Sequence, residues 1–269
     1  MKIIKSKNRL LKLIYNENNL GFVPTMGAIH EGHLSLIKKS NTLCNKTIVT
    51  IFINKPQFNK KNDFKKYPRR IKKDISILKK AKINFLYIPK QKEIYSTPPK
   101  KNIKINNFEK KLCGKHRKGH FVAIVDVIDR FLNIIKPKKI FLGQKDMQQL
   151  KIIDDFLKKK HKSVSLIECK TIREKNGVAV SSRNILLNIN QKKIASNIYH
   201  FLLNNKKKIT KKIYSLKGIK NKILEMGATK IDYVEILDIN RIVRPYNKKK
   251  KLRIFVAYYL ESTRLIDNI

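Results

Sequence analysis

"LGFVPTMGAIHEGHLSLIKKSNTLCNKTIVTIFI", residues 20–53, decides how the chain folds. Its two ends, "LGFVPT" (20–25) and "KTIVTIFI" (46–53), are apolar runs without polar alternation, the pattern of strands covered on both faces. Between them, "HLSLIKKSNTLC" (33–44) sets Leu34, Ile37 and Leu43 near one helical face. Strand, helix and strand in that order make a βα unit of a parallel sheet. The joining turn, "PTMGAIHEGH" (24–33), holds two glycines and two histidines. In such sheets ligands bind beyond the carboxyl ends of the strands, where the next helix exposes free N–H groups and favours an anion. Gly27 and Gly32 lack Cβ atoms, so the backbone can approach a bulky anion. His30 and His33, three apart, can both donate to phosphate oxygens.

The same strand signal returns in "INFLYIP" (83–89), "KKIFLG" (138–143) and "SVSLIEC" (163–169). Helical patterns lie between, in "YPRRIKKDISILKKA" (67–81) and in "FVAIVDVIDRFLNIIK" (121–136). After residue 170 the texture changes. "NINQKKIASNIYHFLL" (188–203) opens with Asn188 three residues before Gln191, a capping-box variant. "SLKGIKNKILEMGATKIDYVEILD" reads as helix, Gly227, then strand, and "LRIFVAYYL" (252–260) as another strand. The expectation is an α/β protein with two units. Residues 1–171 form a Rossmann-like parallel-sheet domain, and 172–269 a smaller C-terminal α+β domain.

Composition bounds the function. The 269 residues suffice for a large core, and 42% are hydrophobic, which excludes a disordered chain. No apolar run approaches the ~20 residues of a membrane span, and lysines interrupt the N-terminus too often for a secretory leader. A cytoplasmic protein is expected. The three cysteines, Cys44, Cys113 and Cys169, are scattered and read as reduced, packed thiols. A zinc site would need ligands beyond His30, His33 and Glu31, and His116 and His120 come without paired cysteines. The net charge of +44 points to a polyanion partner or to a coding bias toward Lys, Asn and Ile. Because the lysines spread over the whole length, coding bias is the reading preferred over a nucleic-acid partner.

Further segments carry chemistry. Gln57, in "IFINKPQF" (51–58), offers an amide donor and acceptor to hydroxyls and a carboxylate. In "FLGQKDMQQL" (141–150), Gly143 permits a tight turn, and Lys145 brings a point charge to phosphates. Asp146 suits a helix cap or a ribose contact there, and Gln149 faces the substrate. In "TIREKNGVAVSSRN" (171–184), Ser181, Ser182 and Arg183 join two hydroxyls to a planar cation, a set for a triphosphate, and Gly177 suggests a turn that lets the segment swing.

"VPTMGAIHEGHLSLI" (23–37) resembles the pantothenate synthetase family of the nucleotidyltransferase superfamily, which shares His-x-Gly-His with class I aminoacyl-tRNA synthetases. The segments at 51–58, 141–150 and 171–184 resemble that family in the same order, as do "GKHRKGHF" (114–121) and "ESTRLIDN" (261–268). Departures from its pattern are Lys55 with Pro56, Lys118, Ala123, Leu142, Gln144, Asn176 and Val180. The resemblance implies ATP-dependent condensation of (R)-pantoate with β-alanine to pantothenate, AMP and pyrophosphate through a pantoyl adenylate. ATP is then a substrate and Mg²⁺ arrives with it. By the same resemblance ATP contacts fall on Met26, Gly27, Ala28, Ile29, His30, Glu31, Gly32 and His33, on Gly143, Gln144, Lys145 and Asp146, and on Ile172, Val180, Ser181, Ser182 and Arg183. Pantoate falls to Gln57 and Gln149, and β-alanine also to Gln57. His33 is the proton donor, with His30 and Lys145 as catalytic partners and a histidine pKa near neutrality. Arg117 and His120 help hold substrate, the C-terminal domain closes over ATP, and the protein is a homodimer. The rival readings are another nucleotidyltransferase or a basic nucleic-acid-binding protein.

Overall fold

The computed structural model describes all 269 residues. Six parallel strands, β1 (Lys2–Ile4), β2 (Leu20–Thr25), β3 (Lys46–Ile51), β4 (Phe85–Tyr87), β5 (Lys139–Gly143) and β6 (Ser165–Cys169), form one sheet in the order β1-β4-β3-β2-β5-β6. Successive residues feed opposite faces. Phe22, Ile48, Tyr87, Ile140 and Leu142 pack under the helices Lys7–Ile14, His120–Ile135 and Met147–Lys160. Val23, Val49, Leu86 and Phe141 pack on the other face with Leu36, Ile37 and Leu78, from the helices Glu31–Leu43 and Ile71–Lys80. The α/β expectation holds. The edge strand β1 went unread, because the N-terminus is only three residues of extended chain between lysines.

The helix His120–Ile135 is buried nearly all round, and it takes Asp126 and Asp129 inside with it. Both acids are compensated. Asp126 accepts from Arg130 Nε at 2.9 Å and from Lys100 N at 3.1 Å, and Asp129 meets Lys160 at 2.6 Å and His161 at 2.8 Å. A second sheet, antiparallel, joins β7 (Lys230–Asp238), β8 (Leu252–Leu260) and β9 (Thr263–Asn268). Ile254, Val256 and Tyr258 on β8 face the helices Ile189–Asn204 and Leu216–Glu225, while Phe255 and Ala257 join the main core with Tyr233 and Ile239. Asn188 and Gln191 complete the expected reciprocal cap.

Strand order reverses between β2 and β5. The chain proceeds from β2 outward to β3 and β4, then crosses back to β5 and β6 on the other side. The carboxyl ends of β2 and β5 therefore flank the topological switch point, where open α/β sheets bind ligands. The turn leaving β2 is unusual. Gly27 and Ala28 adopt left-handed backbone, with φ of 81° and 50°. That conformation aims the amides of Ala28 and Ile29 at one buried carboxylate. Asp74 accepts Ala28 N at 2.9 Å on Oδ2 and Ile29 N at 2.8 Å on Oδ1. A Cβ on Gly27 would stand 3.0 Å from Asp74 Oδ2. The turn is thus fixed from the helix Ile71–Lys80, and neither amide is free for an anion.

Asp74→Ala leaves two buried amides without an acceptor, a loss of about 2–4 kcal/mol. Urea unfolding of the variant against the native chain measures it, and an unchanged midpoint and slope would contradict the role given to Asp74.

Candidate active site

Four segments far apart in sequence meet at the switch point. One cavity of about 260 Å³ is lined by Met26, His30, Gly32 and His33 after β2, by Asn54 and Gln57 after β3, by Gly143, Lys145, Asp146 and Gln149 after β5, and by Ile172 and Val180 to Arg183 after β6. Gly27, Ala28, Ile29, Glu31 and Gln144 do not line it. The first three shape the turn held by Asp74. Gln144 is drawn off by other partners: it donates to Glu168 Oε2 at 3.2 Å and accepts from Arg253 Nη2 at 3.2 Å.

His30 and His33 stack, with ring centroids 4.0 Å apart and planes inclined by 22°. Gly32 makes this possible, since a Cβ there would lie 2.9 Å from His30 Cε1. Neither ring hydrogen-bonds to protein, and the Nδ1 atoms of both are buried without a partner. Burial, then the Lys145 charge, lowers the pKa of His30 to about 4. Burial, then His30 and Lys145, holds His33 well below its ordinary value. Both shifts run below the value near neutrality expected of these histidines. Burial and the Lys145 charge both favour the neutral imidazole, and Asp146 only partly opposes them at His30.

Gln57 is positioned by a network that the sequence showed only in part. Asn54, 1% exposed, donates to Gln57 Oε1 at 3.0 Å and to Ala123 O at 3.1 Å, and accepts from Tyr95 at 2.6 Å. The Gln57 carbonyl accepts from Arg117 Nη2 at 3.1 Å and pairs with His120 Nδ1 at 2.8 Å. Arg117 Nη1 lies 2.8 Å from His120 Nε2. An arginine can only donate, so His120 is neutral with its proton on Nδ1. This agrees with the burial and Arg117 charge that hold its pKa well below the ordinary value. Lys55 and Pro56 are accommodated in the short turn Lys55–Gln57 without displacing Gln57.

The β5 turn is tied from the C-terminus. Asn268 Nδ2 donates to the carbonyls of Gln144 at 2.8 Å and Lys145 at 2.9 Å. Asp146 caps the next helix by position but makes no side-chain cap bond; its carboxylate lies 3.6 Å from Lys145 Nζ. Ser182 Oγ donates to Ala28 O at 3.3 Å, which joins the serine pair to the histidine turn. At Gly177 the structure has the suggested turn. Gly177, at φ 85°, sits where a Cβ would be 2.3 Å from the Tyr199 ring. Arg173 pins the segment to Asp267 at 2.6 and 3.0 Å. Asn176 serves in this turn, its Oδ1 accepting from Val178 N at 3.1 Å.

Asp74, Asn54, Asn268 and Tyr67, which also lines the cavity, were missed from sequence. For Asp74 a signal existed. With 19 acids against 63 bases, an isolated Asp inside the lysine-rich "IKKDISILKK" is a residue with a task. For Asn268 the quoted tail "ESTRLIDN" contained it without indicating its target.

Residues 2–269 match the family model for pantoate-beta-alanine ligase. A pantothenate synthetase of Endomicrobium trichonymphae is 38% identical over 276 residues, covering 100% of this chain and 97% of the relative. One from Thermosipho melanesiensis is 35% identical, covering 100% and 99%. Among solved structures, the pantoate-beta-alanine ligase of Francisella tularensis, complexed with beta-gamma ATP and beta-alanine, superposes with a TM-score of 0.88 at 35% identity, covering 100% of this chain and 97% of that one. The Thermus thermophilus pantothenate synthetase gives 0.89 at 26% identity, covering 100% and 99%. With its switch-point cavity, its paired histidines and these relatives along its full length, the chain belongs to the pantoate–β-alanine ligase family.

Proposed function

We propose that the cavity binds ATP beside (R)-pantoate and joins the pantoate carboxylate to the amine of β-alanine, giving pantothenate, AMP and pyrophosphate. The observation that carries this is the meeting of His30, Gln57, Lys145, Gln149 and Ser182 in a single cavity. A different nucleotidyltransferase would account for the histidines, but not for two glutamines aimed at one small substrate.

A carboxylate oxygen is a poor leaving group, so the acid is first adenylated. A pantoate oxygen attacks the α-phosphorus, the bond to the bridging oxygen breaks, and pyrophosphate leaves. The β-alanine amine then attacks the acyl carbon and AMP leaves. In the first step an anion attacks a polyanion, so the gain comes from position and countercharge. Gln57 and Gln149 grip pantoate with neutral amides that do not repel its carboxylate. Lys145 and Arg183 supply positive charge, and Ser181 and Ser182 supply donors. His30 and His33 hold donors at the leaving phosphates, with His33 as the proton donor. Mg²⁺ belongs to the nucleotide substrate. The only carboxylate lining the cavity, Asp146, is beside Lys145, and no group of three His, Cys, Asp or Glu side chains gathers about a common point.

On this reading residues 1–171 form the nucleotide and pantoate domain, and 172–269 close the ATP side of the cavity. The assembly we infer is a cytoplasmic homodimer without a nucleic-acid partner; no helix is long and apolar enough to cross a membrane. The purified chain with ATP, pantoate and β-alanine is expected to release AMP only when both acids are present. Release that ignores either acid rejects the ligase.

His33→Ala is expected to keep the fold and lose about 100- to 1,000-fold in pantoate-dependent ATP–pyrophosphate exchange, the cost of one aimed donor. Near-normal exchange would remove the proton-donor role. Triphosphate binding is also expected to take up protons at neutral pH. His30 is neutral in the free protein, its pKa lowered to about 4, and phosphate oxygens beside it raise that value. Calorimetry of ATP binding in buffers of different ionisation enthalpy reads the uptake. It should shrink in His30→Asn, and equal uptake in both proteins would refute the assignment.

A further inference from the structure

Arg183 already has an acid of the same chain as a partner for part of its guanidinium. Asp63 lies on the short helix Lys61–Lys66, 120 residues away in sequence. Its Oδ1 and Oδ2 both accept from Arg183 Nη2, at 3.1 and 3.0 Å. Nε and Nη1 of the same guanidinium have no protein acceptor, and its carbon stands 5.9 Å from the centroid of the Tyr67 ring. Arg183 lines both the 260 Å³ cavity and the adjoining cleft of about 490 Å³ beside the second sheet, and Asp63 lines that cleft as well. The ion pair therefore sits where the two cavities meet and offsets the arginine's charge from the side of the cleft. The side chains are 27% and 35% exposed, so water can replace either partner. Just before the helix, Asn59 donates to Lys118 O at 2.8 Å and Lys60 lies 5.8 Å over the Tyr259 ring; on the helix, Phe64 packs edge-on to Phe58 at 5.4 Å and its carbonyl accepts from Arg69 Nη2 at 3.1 Å.

We propose that Asp63 is a specificity-determining residue: an internal carboxylate that reserves Arg183 for polyphosphate and withholds it from the carboxylate substrates. The proposal rests on the ligase reading, in which the same cavity must receive a triphosphate and a carboxylate without confusing them. A free carboxylate has the chemistry of Asp63 but none of its proximity, and it cannot gain by exchange. A triphosphate brings several charges and two oxygens to the fork of the guanidinium, and so it displaces a single carboxylate. Arg183 thereby rejects pantoate and β-alanine when they arrive first and accepts ATP.

The test is the affinity of ATP and of adenosine, measured by calorimetry without pantoate, for the native chain, Asp63→Asn, Arg183→Ala and the double variant. With the competitor removed, Asp63→Asn is expected to tighten ATP about fivefold, the strength of a part-exposed ion pair, and to leave adenosine unchanged. In the Arg183→Ala background the gain is expected to fall below about twofold, because the two residues act as a pair. Pantoate should inhibit ATP binding more strongly in Asp63→Asn than in the native chain. Unchanged or weaker ATP binding by Asp63→Asn overturns the proposal, since the acid would then aim the arginine rather than compete for it. An equal gain with Arg183 absent overturns it too, as a general effect of charge. If the native chain binds no ATP at all, the ligase reading itself fails.

Discussion

The site depends on one carboxylate. Asp74 takes the amides of Ala28 and Ile29 out of competition and so fixes a left-handed turn that only a glycine at position 27 accommodates. Part of the cavity lining is indexed to that turn. The stacked histidines follow directly from it, and Ser182 is hung on the Ala28 carbonyl. The arrangement also changes what the turn offers an anion. Two of its backbone donors face inward to Asp74 and are taken out of any anion binding. The other donors that line the cavity, Lys145, Arg183 and two serines, follow other strands.

The unusual composition acquires a structural reading. In a chain of net charge +44, the few acids are concentrated where positive or donor groups need an internal partner. Asp129 gathers Lys100, Lys160 and His161, Asp232 anchors Arg264, and Asp267 holds Arg173. Lysines, by contrast, lie mostly on exposed positions, where a charge costs little stability. The basic excess is thus spread over the surface, as a coding drift would leave it, while the interior keeps its charges in balance.

Much of this was legible in the letters. The strands at 20–25 and 252–260 fall where apolar runs place them, because a strand buried on both faces writes itself as uninterrupted Val, Ile, Leu and Phe. The convergence of residues 30, 57, 146 and 182 could be anticipated because each follows a strand of one parallel sheet. Illegible were the targets of the residues that act at a distance. Asp74 and Asn268 reach turns some 45 and 123 residues away, and nothing local marks such a target. The lowered pKa of both histidines was illegible for the same reason: burial against one another and beside Lys145 is a property of the assembled site, not of the motif.

Strand β8 has a wider consequence. Its alternate residues belong to different cores, Ile254, Val256 and Tyr258 to one and Phe255 and Ala257 to the other. A strand shared in this way leaves no clean seam along which the halves could be cut, recombined with foreign partners, or inherited separately. The two cores must therefore drift together, each substitution on one side of β8 being screened by the packing on the other.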